Sequence, residues 1–203
     1  MKIKITSKEV AAIAINAGLY AVGSYATAYI PTPWIVQLRP AVVIPAIFAV
    51  LFGPLVGGLG AAIGTFTASI VTYGTPVLTI FSGMPGNFAC FYLLGKFARP
   101  YNHRNFAAGT LIGSLVGSVI IGFGLWFLLA YLSFLIPVGT YAYTAVQKTI
   151  LAIATDPAAW ILSTIVWTLG TGAICTLLIG LPVLRVCESA FPQLLSTVKS
   201  EQK

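Results

Sequence analysis

"LRPAVVIPAIFAVLFGPLVGGLGAAIG", Leu38 to Gly64, holds one charge, Arg39, followed by an uninterrupted apolar and glycine-rich run. A membrane helix needs only about 20 residues, so this stretch is too long for a single crossing and too apolar for a loop. Gly53-Pro54 supplies the break, because proline suits the first turn of a helix but disrupts an interior. The reading is a tight hairpin: a short helix from Pro40 to Phe52, then a longer one from Pro54 to Tyr73. Arg39 is left at the mouth of that hairpin.

The composition agrees with a lipid environment. The 203 residues are 58% hydrophobic and 7% charged, with mean hydropathy +0.96, whereas a soluble domain carries about 25% charged residues. The longest polar stretches are the loop Arg99 to Asn105 and the tail from Glu188 to Lys203. Neither is large enough for a soluble domain, so residues 1–203 are expected to form a single all-α membrane domain. Apolar runs and their breakers give six transmembrane helices, at 9–30, 40–52, 54–73, 85–98, 106–135 and 157–184, with 185–203 as a tail. Residues 138–155 are mixed in character. The first apolar run, roughly 20 residues, exceeds the core of about 7–15 in a cleaved signal peptide, and is expected to be retained.

Basic residues orient this bundle. With the N-terminus inside, Lys2, Lys4, Lys8, Lys96, Arg99, Arg104, Arg185, Lys199 and Lys203 are internal, and only Arg39 and Lys148 of the eleven face out. The positive-inside rule then places both termini in the cytoplasm. The net charge of +7 is therefore read as orientation. Its residues lack the clustering and interleaved aromatics of a nucleic-acid surface. Cys90, Cys175 and Cys187 show no paired spacing, and Cys90 and Cys175 read as small packing residues within apolar runs. His103 has no second ligand candidate nearby, so no metal site is expected.

Several polar residues have two readings each. Arg39 either snorkels to the interface or forks onto an anionic ligand. Lys148 fits a solvated loop or a pocket. Asp156, before Pro157, suits a helix cap. Asn87 lies within an apolar span, where an unpaired amide is costly, and bonds either a neighbouring helix or a ligand. Trp34, Trp160, Tyr141 and Tyr143 fit an interfacial aromatic belt or the walls of a pocket. In the first helix, the pairs Ala14/Gly18 and Ala17/Ala21 give small-xxx-small faces that permit close helix approach in lipid.

The basic N-terminus, the alanine-rich first helix with Ala17 and Ala21, "LRPAVVIPAIF" and "LFGPLVGGLGAAIG" resemble the S component of an energy-coupling factor (ECF) transporter. The resemblance implies a six-helix protein that captures a vitamin or similar micronutrient outside the cell. It also implies partners: a transmembrane T component, docked on the small face at Ala14, Ala17, Gly18 and Ala21, and two ATPase subunits. The chain has no GxxxxGK[ST] phosphate loop of its own, and no cofactor is expected. The family's pocket lies beneath the outer loops. Carried over, that region offers Trp34, Gln37, Arg39, Thr79, Ser82, Asn87, Tyr141, Tyr143, Gln147, Lys148, Asp156 and Trp160. A membrane enzyme is disfavoured because no serine, histidine or aspartate pair is arranged for catalysis. A self-contained small secondary transporter or a structural membrane protein is the alternative, although a carrier's customary intramembrane charges and repeated broken helices are not evident.

Overall fold

The computed structural model describes residues 5–27, 40–146 and 156–190, and every regular element among them is a helix. Helix α1 spans Ser7–Ala26. It starts ahead of the expected residue 9 because Thr6 and Glu9 form a capping box. The Thr6 hydroxyl accepts the Glu9 amide at 3.3 Å, and the Glu9 carboxylate accepts the Thr6 amide at 2.7 Å. Amides that lack carbonyl partners at a helix start are thereby satisfied.

A 3-10 turn, Pro40–Val42, leads into α2, Val43–Phe52, and α3 follows at Pro54–Tyr73. Gly53 makes the hairpin with φ 111° and ψ 164°, a conformation that side chains resist. Pro54 then occupies the first turn of α3, where its missing N–H costs nothing. The Arg99 guanidinium closes over this turn and donates to the Val50 carbonyl at 3.5 Å.

A π-helical turn, Thr79–Gly83, runs into α4, Met84–Phe97. Helix α5 spans His103–Tyr131, earlier than the expected start at 106, because the Asn102 side chain caps it by accepting the Asn105 amide at 2.7 Å. A 3-10 turn follows at Ser133–Leu135, and residues 141–146 are helical. The last helix, α6, runs from Pro157 to Ala190. It overruns the expected end at 184, so the proposed tail begins within a helix. Pro182 lies inside this helix, where it removes one hydrogen bond and crowds the preceding turn, and the fully buried Leu184 holds the next turn in the core. Three of these helices, α3, α5 and α6, are long and apolar enough to cross a membrane, and Pro40–Phe52 is a shorter apolar element.

Glycine contacts define the directions of the helices. Asn16 of α1 meets Gly60, and Ala17 and Tyr20 meet Gly64, so α1 runs parallel to α3. Gly113 packs on Cys90 and Gly117 on Gly86, so α5 runs antiparallel to α4. Gly122 near Ile165 and Gly180 near Phe106 make α6 antiparallel to α5. The start of α1 and the end of α6 consequently lie at one end of the bundle, with Arg99, His103 and Arg185. At that end the Arg185 Nε donates to His103 Nε2 at 3.1 Å.

Two hydrophobic clusters fill the interior. One runs from Tyr20 and Ala41 through Phe91 and Leu94 to Tyr101, Phe106 and Leu184. The other gathers Tyr73, Leu78, Leu125, Leu128, Ile136, Ala142 and Trp160 at the opposite end from the arginines.

Candidate functional site

Between the two clusters lies a cavity of about 120 Å³. Tyr20 and Phe91 bound it on one side, and Tyr73, Leu78 and Leu125 on the other. Its size approaches the roughly 150 Å³ void that accepts benzene. The cavity depends on close helix approach: a Cβ on Gly117 would stand 2.8 Å from the Gly86 carbonyl, so only glycine lets α4 and α5 touch here.

The polar part of the wall comes from five elements. Helix α3 contributes Thr65, the π-helical turn Thr79 and Ser82, and α4 Asn87 and Cys90. Helix α5 contributes Ser114 and Ser118, and α6 Thr168, Thr171 and Thr176. Among the described residues, no charged side chain lines the cavity. Asn87 donates through Nδ2 to Thr65 Oγ1 at 2.6 Å. It therefore bonds a neighbouring helix, which is the first of its two readings, and it also borders the cavity.

Most wall hydroxyls bond their own backbone. Ser82 donates to the Leu78 carbonyl at 2.5 Å, Thr168 to Thr164 and Thr171 to Trp167, both at 2.8 Å, and Ser118 to Ser114. Thr79 donates to the Pro76 carbonyl at 2.9 Å and pairs with the Ser69 hydroxyl at 2.6 Å. These bonds let serine and threonine sit in apolar helices without an unsatisfied hydrogen.

Of the residues expected at the site, Thr79, Ser82 and Asn87 line this cavity. Trp160 does not, but is buried in the adjoining cluster, with Tyr143 packed against it. Tyr141 is exposed and stacks on the cavity residue Tyr73, with ring centroids 6.3 Å apart. Asp156 caps α6, accepting the Ala159 amide at 3.0 Å. Trp34, Gln37, Arg39, Gln147 and Lys148 lie outside the described residues. Cys90, read as a packing residue, also borders the cavity. Sequence reasoning missed Thr65, Ser114, Ser118, Thr168, Thr171 and Thr176. The spacing of Ser114 with Ser118, and of Thr168 with Thr171, would have placed hydroxyls on one face of each helix.

The first helix presents two faces. Ala17 and Ala21 are 7% and 8% exposed; Ala17 lies against Gly64 of α3. Ala14 and Gly18 are exposed, alongside Val10, Ile15, Leu19 and Val22, and nothing lies within 4 Å of a Cβ built on Gly18.

Curated relatives match a limited part of the chain. It is 38% identical over 65 residues to the UPF0397 protein VS_II0189 of Vibrio atlanticus (strain LGP32), covering 32% of this chain and 36% of the relative. It is likewise 38% identical over 66 residues to the UPF0397 protein VFMJ11_1662 of Aliivibrio fischeri (strain MJ11), again covering 32% and 36%. The matched stretch thus spans about a third of these relatives' length. No solved structure gives a significant match. The family model "ECF transporter, substrate-specific component" matches residues 8–183. That span takes in all but the ends of the chain, including every residue that lines the cavity, and the chain therefore belongs to the substrate-specific components of ECF transporters, which are transporter subunits of the membrane.

Proposed function

We propose that this chain captures a vitamin-like small molecule on the outer face of the membrane and releases it inward with the help of a T component and two ATPases. The observation that carries this reading is the cavity between α3, α4, α5 and α6, with apolar walls and a few oriented polar groups around Asn87. Such a lining is what a small-molecule site requires. In the proposed arrangement six helices cross the bilayer and both termini are cytoplasmic. The end with Arg99, Arg104 and Arg185 is inside, and the end with Tyr73, Tyr141 and Trp160 is outside.

The outer loops complete the site in this reading. Trp34, Gln37, Arg39 and Lys148 take part in binding the ligand, with Arg39 meeting an anionic group of it. Tyr141, Tyr143, Asp156 and Trp160 brace the rim of the cavity through the cluster around Tyr73. Docking of the T component uses α1, with Ala14 and Gly18 at the contact and Ala17 and Ala21 supporting it from the α3 side. The exposed small surface of Gly18 favours close approach by another helix in lipid.

Ligand extraction tests the reading. The chain, purified from its native membranes and denatured, should release one small molecule in near-equimolar amount, and Asn87→Leu should purify without it. Release of no small molecule, or equal release from Asn87→Leu, would contradict this use of the cavity.

A further inference from the structure

The inward row of α6 has a gap at the level of the cavity. Residues spaced by four lie one above another on a helix, and in the row from Trp160 to Leu184 the members Trp160, Thr164, Thr176, Gly180 and Leu184 are buried. Between them, Thr168 and Gly172 line the cavity. Gly172 therefore faces the interior of the bundle, yet among the described residues nothing lies within 4 Å of a Cβ built on it. The space in front of Gly172 is the cavity itself.

Glycine is a poorer helix former than alanine, so a glycine within a helix calls for a reason. Packing supplies one for its neighbours. A Cβ on Gly180, further along the same row, would stand 3.1 Å from the Phe106 ring. Gly83 and Gly117 also line the cavity, and there a Cβ would stand 3.0 Å from the Thr65 methyl and 2.8 Å from the Gly86 carbonyl. Gly172 has no such contact. Gly170 is equally unobstructed among the described residues, but it sits about 200° around the helix from Gly172 and does not line the cavity.

We propose that Gly172 is a specificity-determining residue: the side chain it lacks leaves room against α6 for part of the captured molecule. This rests on the cavity being the capture site. Glycine brings no polar side-chain group, so the selection made at this position is by bulk, and it sets how thick a group fits between α6 and the remaining walls. A side chain at 172 enters that space without pressing on the protein. Stability and binding should consequently separate on substitution.

The full chain, purified into nanodiscs, is dialysed to equilibrium against a desalted small-molecule extract of the cells that make it, and bound compounds are quantified by mass spectrometry against empty nanodiscs. The parent should enrich a compound. Gly172→Val should hold that compound about tenfold more weakly or worse, as overpacking a filled site requires, with Gly172→Ala between the two. Gly170→Val adds the same bulk on the opposite face and should bind like the parent. After exhaustive dialysis against buffer, Gly172→Ala and Gly172→Val should melt no lower than the parent, since neither side chain meets a neighbour. Undiminished enrichment by Gly172→Val, equal losses in Gly172→Val and Gly170→Val, or a Gly172→Val that melts several degrees low would overturn the role of Gly172, and with the parent still enriching its compound the capture reading stands. A parent that enriches nothing removes the capture reading, and the role of Gly172 falls with it.

Discussion

The two faces of α1 lead to opposite consequences for the same substitution at adjacent residues. Ala17 is 7% exposed, and a Cβ on the facing Gly64 would already stand 2.8 Å from the Ala17 carbonyl. Ala17→Leu forces an isopropyl group into this seam, where overpacking costs about 1–3 kcal/mol. Gly18 has nothing within 4 Å of a built Cβ. Gly18→Leu meets no steric opposition and gains about 0.5–1 kcal/mol of helix propensity. Thermal unfolding of the purified chain should therefore show Ala17→Leu melting several degrees low and Gly18→Leu melting at or above the parent. Ligand retention should follow stability in both variants. Partner docking should not: Gly18→Leu, although well folded, should fail to capture the T component in a pull-down, because the leucine holds the incoming helix away. A stable Ala17→Leu beside an unfolded Gly18→Leu would refute the assignment of faces. A stable Gly18→Leu that captures the T component normally would refute docking through Gly18.

Other outcomes follow from the hairpin and the loops. Gly53→Ala should lower stability by about 1–3 kcal/mol, since φ 111° strains any side chain, as chemical denaturation of the reconstituted protein can measure. Arg39→Ala should weaken ligand binding about tenfold or more, the equivalent of roughly 1.5–3 kcal/mol for a hydrogen bond to a charged group, with Arg39→Lys recovering only part. An unchanged dissociation constant for Arg39→Ala would leave that arginine as an interfacial anchor. With Cys90, Cys175 and Cys187 replaced by alanine, an impermeant maleimide should label Val138→Cys from outside intact cells and Arg104→Cys only after lysis. Equal labelling of both from outside would contradict the proposed threading.

The hairpin was legible because glycine followed by proline has few other uses inside an apolar run, and the structure turns at Gly53 with α3 starting at Pro54. Helix ends set by side-chain caps were less legible. Thr6 and Asn102 extend α1 and α5 beyond the apolar pattern, and α6 runs on past the expected end at 184. The faces of α1 could not be separated by spacing alone. Ala14/Gly18 and Ala17/Ala21 are offset by three residues, which is only about 60° around a helix of 3.6 residues per turn. Asn16, which donates to the Val56 carbonyl at 3.0 Å, marks the inward side. The hydroxyl wall on α5 and α6 escaped notice for a different reason: serine and threonine that bond their own helix behave as apolar residues in a hydropathy reading. Asn87 was legible because its amide has no such local solution.

Co-purification from native membranes tests the central claim most directly. The tagged chain, solubilised in mild detergent, should bring with it one integral membrane T component and ATPase subunits in fixed stoichiometry. The complex, reconstituted into vesicles, should take up the ligand extracted from the chain only when ATP is supplied on the ATPase side. Uptake by the chain alone, driven by an ion gradient and unaffected by removing the ATPases, would contradict the account.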